Sequence, residues 1–244
     1  PLASAFDERM NKVTFILFDL DGTLTDPKPG IARCIRFALE SLGKPAPHVD
    51  ELNWCIGPPL KESFARLLQS QDEELLRKAL GHYRDRFAKT GMFENTVYDG
   101  IPAALEHLGR IGFHLFVATS KPLVFASAIL EHFHLSQFFR HIYGSELNGH
   151  LSNKAELVGR ILQTENLDPE STIIVGDREH DIVAGKTNGI YTAGVSYGFG
   201  TKKELADACP DVCFDTPEEI ASFFAEHWAP NEPLHPIAQT GGSR

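Results

Sequence analysis

The run VTFILFDL at residues 13–20 constrains the fold more than any other stretch of the chain. It is apolar without alternation, rich in β-branched and aromatic side chains, and stops at Asp21-Gly22. Those features predict a strand buried on both faces and followed by a sharp turn. Such a strand needs helices above and below it, so the chain is committed to a layered α/β architecture. From residue 101 onward the patterns alternate: helix 101–110, strand 113–118, helix 123–133, strand 141–144, helix 154–163, strand 172–175, helix 182–188 and strand 191–195. The fold class expected is therefore α/β, with a Rossmann-like parallel sheet, helices on both faces, and ligands at the carboxyl ends of the strands.

Residues 29–89 depart from this rhythm. Ile31, Cys34, Ile35, Ala38, Leu39 and Leu42 recur at helical spacing, and Gly43, Pro45 and Pro47 end the run. Helical patterns at 60–68 and 73–88 follow, the first preceded by Gly57-Pro58-Pro59. With no strand pattern among them, they predict a small all-helical domain inserted after the first strand. The expected division is a core of residues 1–25 and 92–228, a helical insert of residues 26–91, and a flexible tail at 229–244. A length of 244 residues suits a main domain with a smaller insert.

Composition removes several partner classes. With hydrophobic residues at 42% and charged residues at 23%, the chain is neither disordered nor fibrous. A formal charge of −10 opposes binding to nucleic acid backbones. No stretch approaches the roughly 18 consecutive apolar residues of a membrane helix, so no membrane partner is expected. Residues 1–12 lack a hydrophobic signal core, Met10 is a candidate natural start, and a cytoplasmic location is expected. Cys34, Cys55, Cys209 and Cys213 are scattered, without a second close pair to complete a zinc site, and read as reduced thiols.

Four features carry chemistry. Asp19 and Asp21 lie one residue apart at the end of a strand, and a period of two would aim both carboxylates into the crevice above the sheet. Gly22 releases the backbone from the strand, and Thr23 and Thr25 offer hydroxyls and amides to an anion. A second buried strand, 172–175, also ends in acid, at Gly176-Asp177-Arg178-Glu179-His180-Asp181. Parallel strands would bring Asp19, Asp21, Asp177 and Asp181 together, a charge that requires a cation, and hard carboxylate oxygens suit Mg²⁺. Thr119 and Ser120 end strand 113–118 just before a helix, where hydroxyls and a helix amino terminus form an anion seat. Lys154 opens a helix, a place the helix dipole reserves for anions, so the cation there calls for a functional reason.

Asp19 to Thr25 (DLDGTLT), Thr119-Ser120, Lys154 and Gly176 to Asp181 (GDREHD) resemble, in order and spacing, the four motifs of the haloacid dehalogenase superfamily. The resemblance covers the chain to about residue 224, and the helical insert sits where the superfamily's first-type cap does. Asp26-Pro27-Lys28-Pro29-Gly30-Ile31, Ile56-Gly57-Pro58-Pro59-Leu60 and Gly198-Phe199-Gly200 further resemble the phosphoglycolate phosphatase-like branch, which includes 5′-nucleotidases. This likeness implies a phosphomonoester hydrolase acting on a small phosphorylated metabolite. Asp19 would be the nucleophile that becomes an aspartyl phosphate, and Asp21 the general acid and base. Lys154, Thr119, Ser120 and Gly22 would contact phosphate. Mg²⁺ would be held by Asp19, the backbone carbonyl of Asp21, and Asp177, with Asp181 around them. The insert would close over the site, with Arg33, Lys61, Arg66, Tyr83, Arg84 and the Gly57-Pro58-Pro59 loop as candidate readers of the leaving group. His180 is not among these candidates. Asp21 argues against a dehalogenase or a phosphonatase; a hexose phosphomutase and a catalytically silent binding protein are the alternatives.

Overall fold

The computed structural model of the protein describes residues 10–227; residues 1–9 and the expected tail at 229–244 lie outside the described part. β1 (Phe15–Phe18) sits at the centre of a six-stranded sheet, between β4 (His114–Pro122) and β6 (Thr172–Gly176). β5 (His141–Ser145) lies beyond β4, and β7 (Tyr191–Val195) and β8 (Val212–Phe214) lie beyond β6. Every neighbouring pair is parallel. The period of two explains the layering. Ile16, Phe18, Leu115, Val117, Ile173 and Val175 face one apolar cluster with α4 (Ile101–Arg110), α5 (Leu123–His132) and α9 (Pro217–His227). Leu17, Phe116, Ala118 and Ile174 face a second, with α6 (Lys154–Glu165) and α7 (Glu179–Thr187). Burial on both faces is what the unbroken apolar run in β1 encodes.

The helical segment departs and returns through a two-stranded antiparallel ribbon, β2 (Thr25–Asp26) and β3 (Thr96–Val97), with Thr25 opposite Val97. Between them lie α1 (Lys28–Ser41), α2 (Leu60–Leu68) and α3 (Glu73–Lys89). These helices share an apolar cluster that includes Ile35, Phe64, Leu76 and Phe87 and rests against Ile129 of α5. Both the ribbon and the 3-10 helix Val49–Cys55 escape the sequence patterns because each is too short to show a period. The 3-10 helix is fixed by a reciprocal cap in which the His48 N–H donates to Glu51 Oε2 at 2.8 Å.

Several boundaries differ from expectation for local reasons. β1 is shorter than residues 13–20, because from Leu20 the chain curls into a turn whose Leu24 and Thr25 amides donate to the Leu20 carbonyl. β4 runs four residues past Ala118, with an irregularity between Thr119 and Pro122. α7 begins at Glu179, three residues before the apolar period, because Asp181 Oδ2 accepts from the Arg178 N–H at 3.2 Å and secures the first turn. The short elements α8 (Lys202–Ala208) and β8, together with α9, lie beyond the last predicted strand.

His114 opens β4 half-buried, its ring 5.5 Å from that of Phe15 and its Nε2 3.2 Å from Arg140 Nη2. Burial, then the Arg140 charge, pushes its pKa down to about 4. An unfolded imidazole titrates at about 6.5, so protons favour the unfolded chain. The stabilisation is therefore complete above about pH 6.5 and is lost as pH falls toward the folded value. Urea midpoints of the wild type and His114→Gln should converge between pH 7 and 5, the pH-dependent difference being roughly 1 kcal/mol after solvent screening.

Candidate active site

The carboxyl ends of β1, β4 and β5 meet at a cavity of about 350 Å³ whose opposite wall comes from the helical segment; His180 of α7 lines it too, while Asp177 and Asp181 lie behind its lining. Asp19 leaves the end of β1 with its N–H donating to the Val175 carbonyl at 2.9 Å. Lys154 arrives from the first residue of α6, a helix capped by Asn153 Oδ1, which accepts from the Ala155 and Glu156 amides. The Lys154 ammonium is buried and lies 2.6 Å from Asp19 Oδ1, 2.8 Å from Asp181 Oδ1 and 2.8 Å from the Ala118 carbonyl. Burial opposes its charge, but Asp181 and then Asp19 overcome that and hold its pKa above the ordinary lysine value. The cation at a helix amino terminus is thus explained by carboxylates from β1 and α7.

Asp19, Asp177 and Asp181 each offer an oxygen within 4.8 Å of the others, and all three are buried. Asp177 follows β6; its Oδ2 accepts from the Phe199 N–H at 2.7 Å, while its buried Oδ1 has no partner among the described residues. Desolvation, with the charges of Asp181 and Asp19, drives the Asp177 pKa far above its ordinary value. Asp181 is also raised, by desolvation in the first place, with Lys154 opposing. The local chain is shaped around this carboxylate. Gly22 has φ +89 and a Cβ there would collide with Asp177, while Gly198 and Gly200 pack so closely on Gly22 and Asp177 that neither position has room for a Cβ.

Asp21 is placed differently. The strand has ended before it, so the period-two argument does not set its direction. Its Oδ2 pairs at 2.7 Å with Lys121, and its carboxylate is not in the acid cluster expected to include it. Burial raises the Asp21 pKa against the lowering effect of Lys121. Lys121 also lies 4.7 Å from the Phe87 ring of α3. The sequence patterns pass over Lys121 because strand 113–118 stops short of it. Extended backbone through residue 121 would have put it on the same side as Thr119, which is the signal available.

Thr119 and Ser120 line the cavity, and they sit on extended chain rather than in the first turn of α5, which starts at Leu123 without a side-chain cap. Both hydroxyl residues thus stand just ahead of the helix, as expected, with three and two residues respectively between them and its start at Leu123. Thr119 Oγ1 accepts from the Lys121 N–H at 3.2 Å, and the Ser120 carbonyl accepts from Ser145 Oγ at 2.8 Å. The Gly22 N–H donates to the Thr25 carbonyl at 2.8 Å, inside its own turn, and so is already engaged. Tyr83, Lys61, Arg84 and Gly57-Pro58-Pro59 line the cavity, as does His180, which sequence reasoning had left out; Arg33 and Arg66 do not. Arg33 pairs with Glu94 at 2.9 Å and Arg66 stacks on Trp54 at 4.2 Å.

Four buried carboxylates face two ammonium groups, and Asp177 keeps an oxygen without a donor among the described residues. An all-oxygen set with two uncompensated negative charges fits a hard divalent cation. Fold and site together define an α/β protein that gathers paired acids and lysines at the switch point of its sheet, where such folds bind their ligands. The chain belongs to the haloacid dehalogenase-like hydrolases, whose family model matches residues 16–195. It is 48% identical over 190 residues to a protein named 5′-nucleotidase from Pseudomonas aeruginosa, covering 78% of this chain and 86% of that one. It is 36% identical over 185 residues to tyrosine-protein kinase PtkA of Mycobacterium tuberculosis, covering 76% of this chain and 62% of the kinase. A crystal structure described as a predicted phosphatase from Clostridium acetobutylicum superposes with a TM-score of 0.84 at 42% identity, covering 88% of this chain and 99% of that one.

Lys154→Met would leave Asp19 and Asp181 buried without their shared cation. Breaking a buried pair from one side costs about 3–5 kcal/mol, and urea unfolding at pH 7 should show a loss of that order. The double variant Lys154→Met/Asp181→Asn should recover part of it; equal stability of wild type and Lys154→Met would contradict the pairing.

Proposed function

We propose that the protein is a Mg²⁺-dependent phosphomonoester hydrolase that works through an aspartyl phosphate on Asp19. The observation that carries the reading is the division of two neighbouring acids between two lysines: Asp19 with Lys154 inside the acid cluster, Asp21 with Lys121 outside it. Two carboxyl groups in different environments can take different roles. Asp19 attacks phosphorus as the P–O ester bond breaks, and Asp21, whose burial favours the protonated form, gives its proton to the departing alkoxide. Water then attacks phosphorus, Asp21 takes its proton, and the Asp19–phosphate bond breaks to release phosphate. Asp19, Asp177 and Asp181 would hold Mg²⁺, which supplies positive charge against the phosphoryl oxygens. Lys154, and Thr119 and Ser120 from the strand extension, supply donors at the same oxygens, each worth about 3–4 kcal/mol by analogy with oxyanion sites.

The leaving-group half of the cavity favours a neutral, ring-bearing alcohol over glycolate. Its wall includes Ile31, Leu80, Tyr83, Phe87 and Phe125. The cations near it are already engaged: Lys61 with Glu73 at 2.8 Å, Arg84 with the Leu147 carbonyl at 2.7 Å, and Lys121 with Asp21. A second carboxylate on the substrate would be desolvated without a partner, whereas a nucleoside would bury its ring. The relative named 5′-nucleotidase agrees with this choice.

With Mg²⁺, kcat/KM for nucleoside monophosphates should exceed that for phosphoglycolate by at least about 10-fold. Asp19→Asn should lower turnover by at least about 10,000-fold, Asp21→Asn by about 100- to 10,000-fold, and EDTA should abolish it. One phosphate should be released per alcohol. Phosphate retained or moved to a second hydroxyl would favour a mutase or kinase instead, and cation binding without turnover would favour the silent binding protein.

A further inference from the structure

Arg178 lies between Asp177 and Asp181 in the chain, yet its guanidinium is hydrogen-bonded to other partners. Nε donates to Glu204 Oε1 at 2.7 Å, and Nη1 donates to the Ile56 carbonyl, 122 positions away in the sequence. Both partners are largely covered, with side-chain exposures of 12% for Arg178 and 17% for Glu204. Glu204 is itself anchored, since Oε1 also accepts from the Glu179 N–H at 3.0 Å. Ile56 opens the Gly57-Pro58-Pro59 turn that walls the cavity. Gly57 has φ +100, and a Cβ there would sit 3.2 Å from both Arg178 Nη1 and His180 Nε2, so the turn rests directly on the acid-bearing loop. A second contact runs alongside: Phe199 packs against the apolar cluster of the helical segment while its N–H donates to Asp177. Another hydrogen bond between the segments, from Arg84 to the Leu147 carbonyl, is exposed and has no such anchor.

We propose that Arg178 is a positioning residue for substrate selection: it latches the Ile56 turn onto the loop carrying Asp177 and Asp181, and so builds the leaving-group wall only when the helical segment is docked. The fork matters. A guanidinium serves Glu204 and the Ile56 carbonyl at once from two nitrogens of a rigid fork, whereas a lysine ammonium at the same position has no such fork to hold both partners in one geometry. The latch uses no reacting atom, so its loss falls on how a large alcohol is held rather than on the phosphoryl centre. The kinetic consequence rests on the proposed phosphatase activity; the structural one does not.

Hydrogen exchange of the full chain, read on the peptide covering residues 53–62, tests the structural consequence. Arg178→Gln should speed exchange there at least about 5-fold while peptides of β6 stay unchanged, with Arg178→Lys intermediate and Glu204→Gln shifting in the same direction. In kinetics, Arg178→Gln should lower kcat/KM for a nucleoside monophosphate relative to that for acetyl phosphate by about 10-fold, mainly through KM, with partial rescue by Arg178→Lys. Unchanged exchange at residues 53–62, or equal losses for both substrates carried by kcat, would overturn the latch. If no ester were hydrolysed, the phosphatase reading would fail, while the exchange comparison would still decide the latch.

Discussion

The contact on which the rest of the site depends is the buried Lys154 ammonium, shared among Asp19, Asp181 and the Ala118 carbonyl. It ties the ends of β1 and β4 to α6 and α7, and it is what allows two carboxylates to be buried side by side. A buried ion pair is weak evidence for stability in itself, because desolvation offsets its attraction. Its value here is positional. Lys154 fixes one oxygen of Asp19 and leaves Asp177 with an oxygen that no donor among the described residues satisfies. Stability comes from the two apolar layers around β1, which hold the strand ends close enough for the charged groups to meet.

The second lysine divides the chemistry. Lys121 holds Asp21 apart from the acid cluster and lies against Phe87 of the helical segment. Asp19 and Asp21 thus sit two residues apart in different electrostatic surroundings. Lys61 and Arg84, which also face the cavity, are engaged within the protein, which leaves Ile31, Leu80, Phe87 and Phe125 as an apolar part of its wall. Arg178 extends the same economy of contacts by tying that wall to the loop that bears Asp177 and Asp181.

The sheet is legible because β1 and β6 carry unbroken apolar runs and helical patterns alternate with the strands after residue 100. The acids were legible because two such runs end in aspartate, and Lys154 because a cation at a helix start contradicts the dipole. What stayed hidden depends on long-range geometry. Lys121 lay beyond the point where the strand pattern stops, and its partner Asp21 is 100 positions away. The β2–β3 ribbon is two residues on each side, too short for any period. β4 runs past Ala118 through an irregularity that no local pattern signals. Arg178 reads as part of an acidic motif, and only the fold reveals that its partners are Glu204 and the Ile56 carbonyl.

The central proposal is that the cluster of Asp19, Asp177 and Asp181, left with excess negative charge because Lys154 is the one ammonium paired within it among the described residues, takes one divalent cation. Calorimetric titration of the metal-free protein with Mg²⁺ tests it directly. The account predicts one site per chain, lost in Asp177→Asn, with a thermal midpoint that rises as free Mg²⁺ exceeds the dissociation constant. Binding that is absent in the wild type, or that survives Asp177→Asn unchanged, would contradict it.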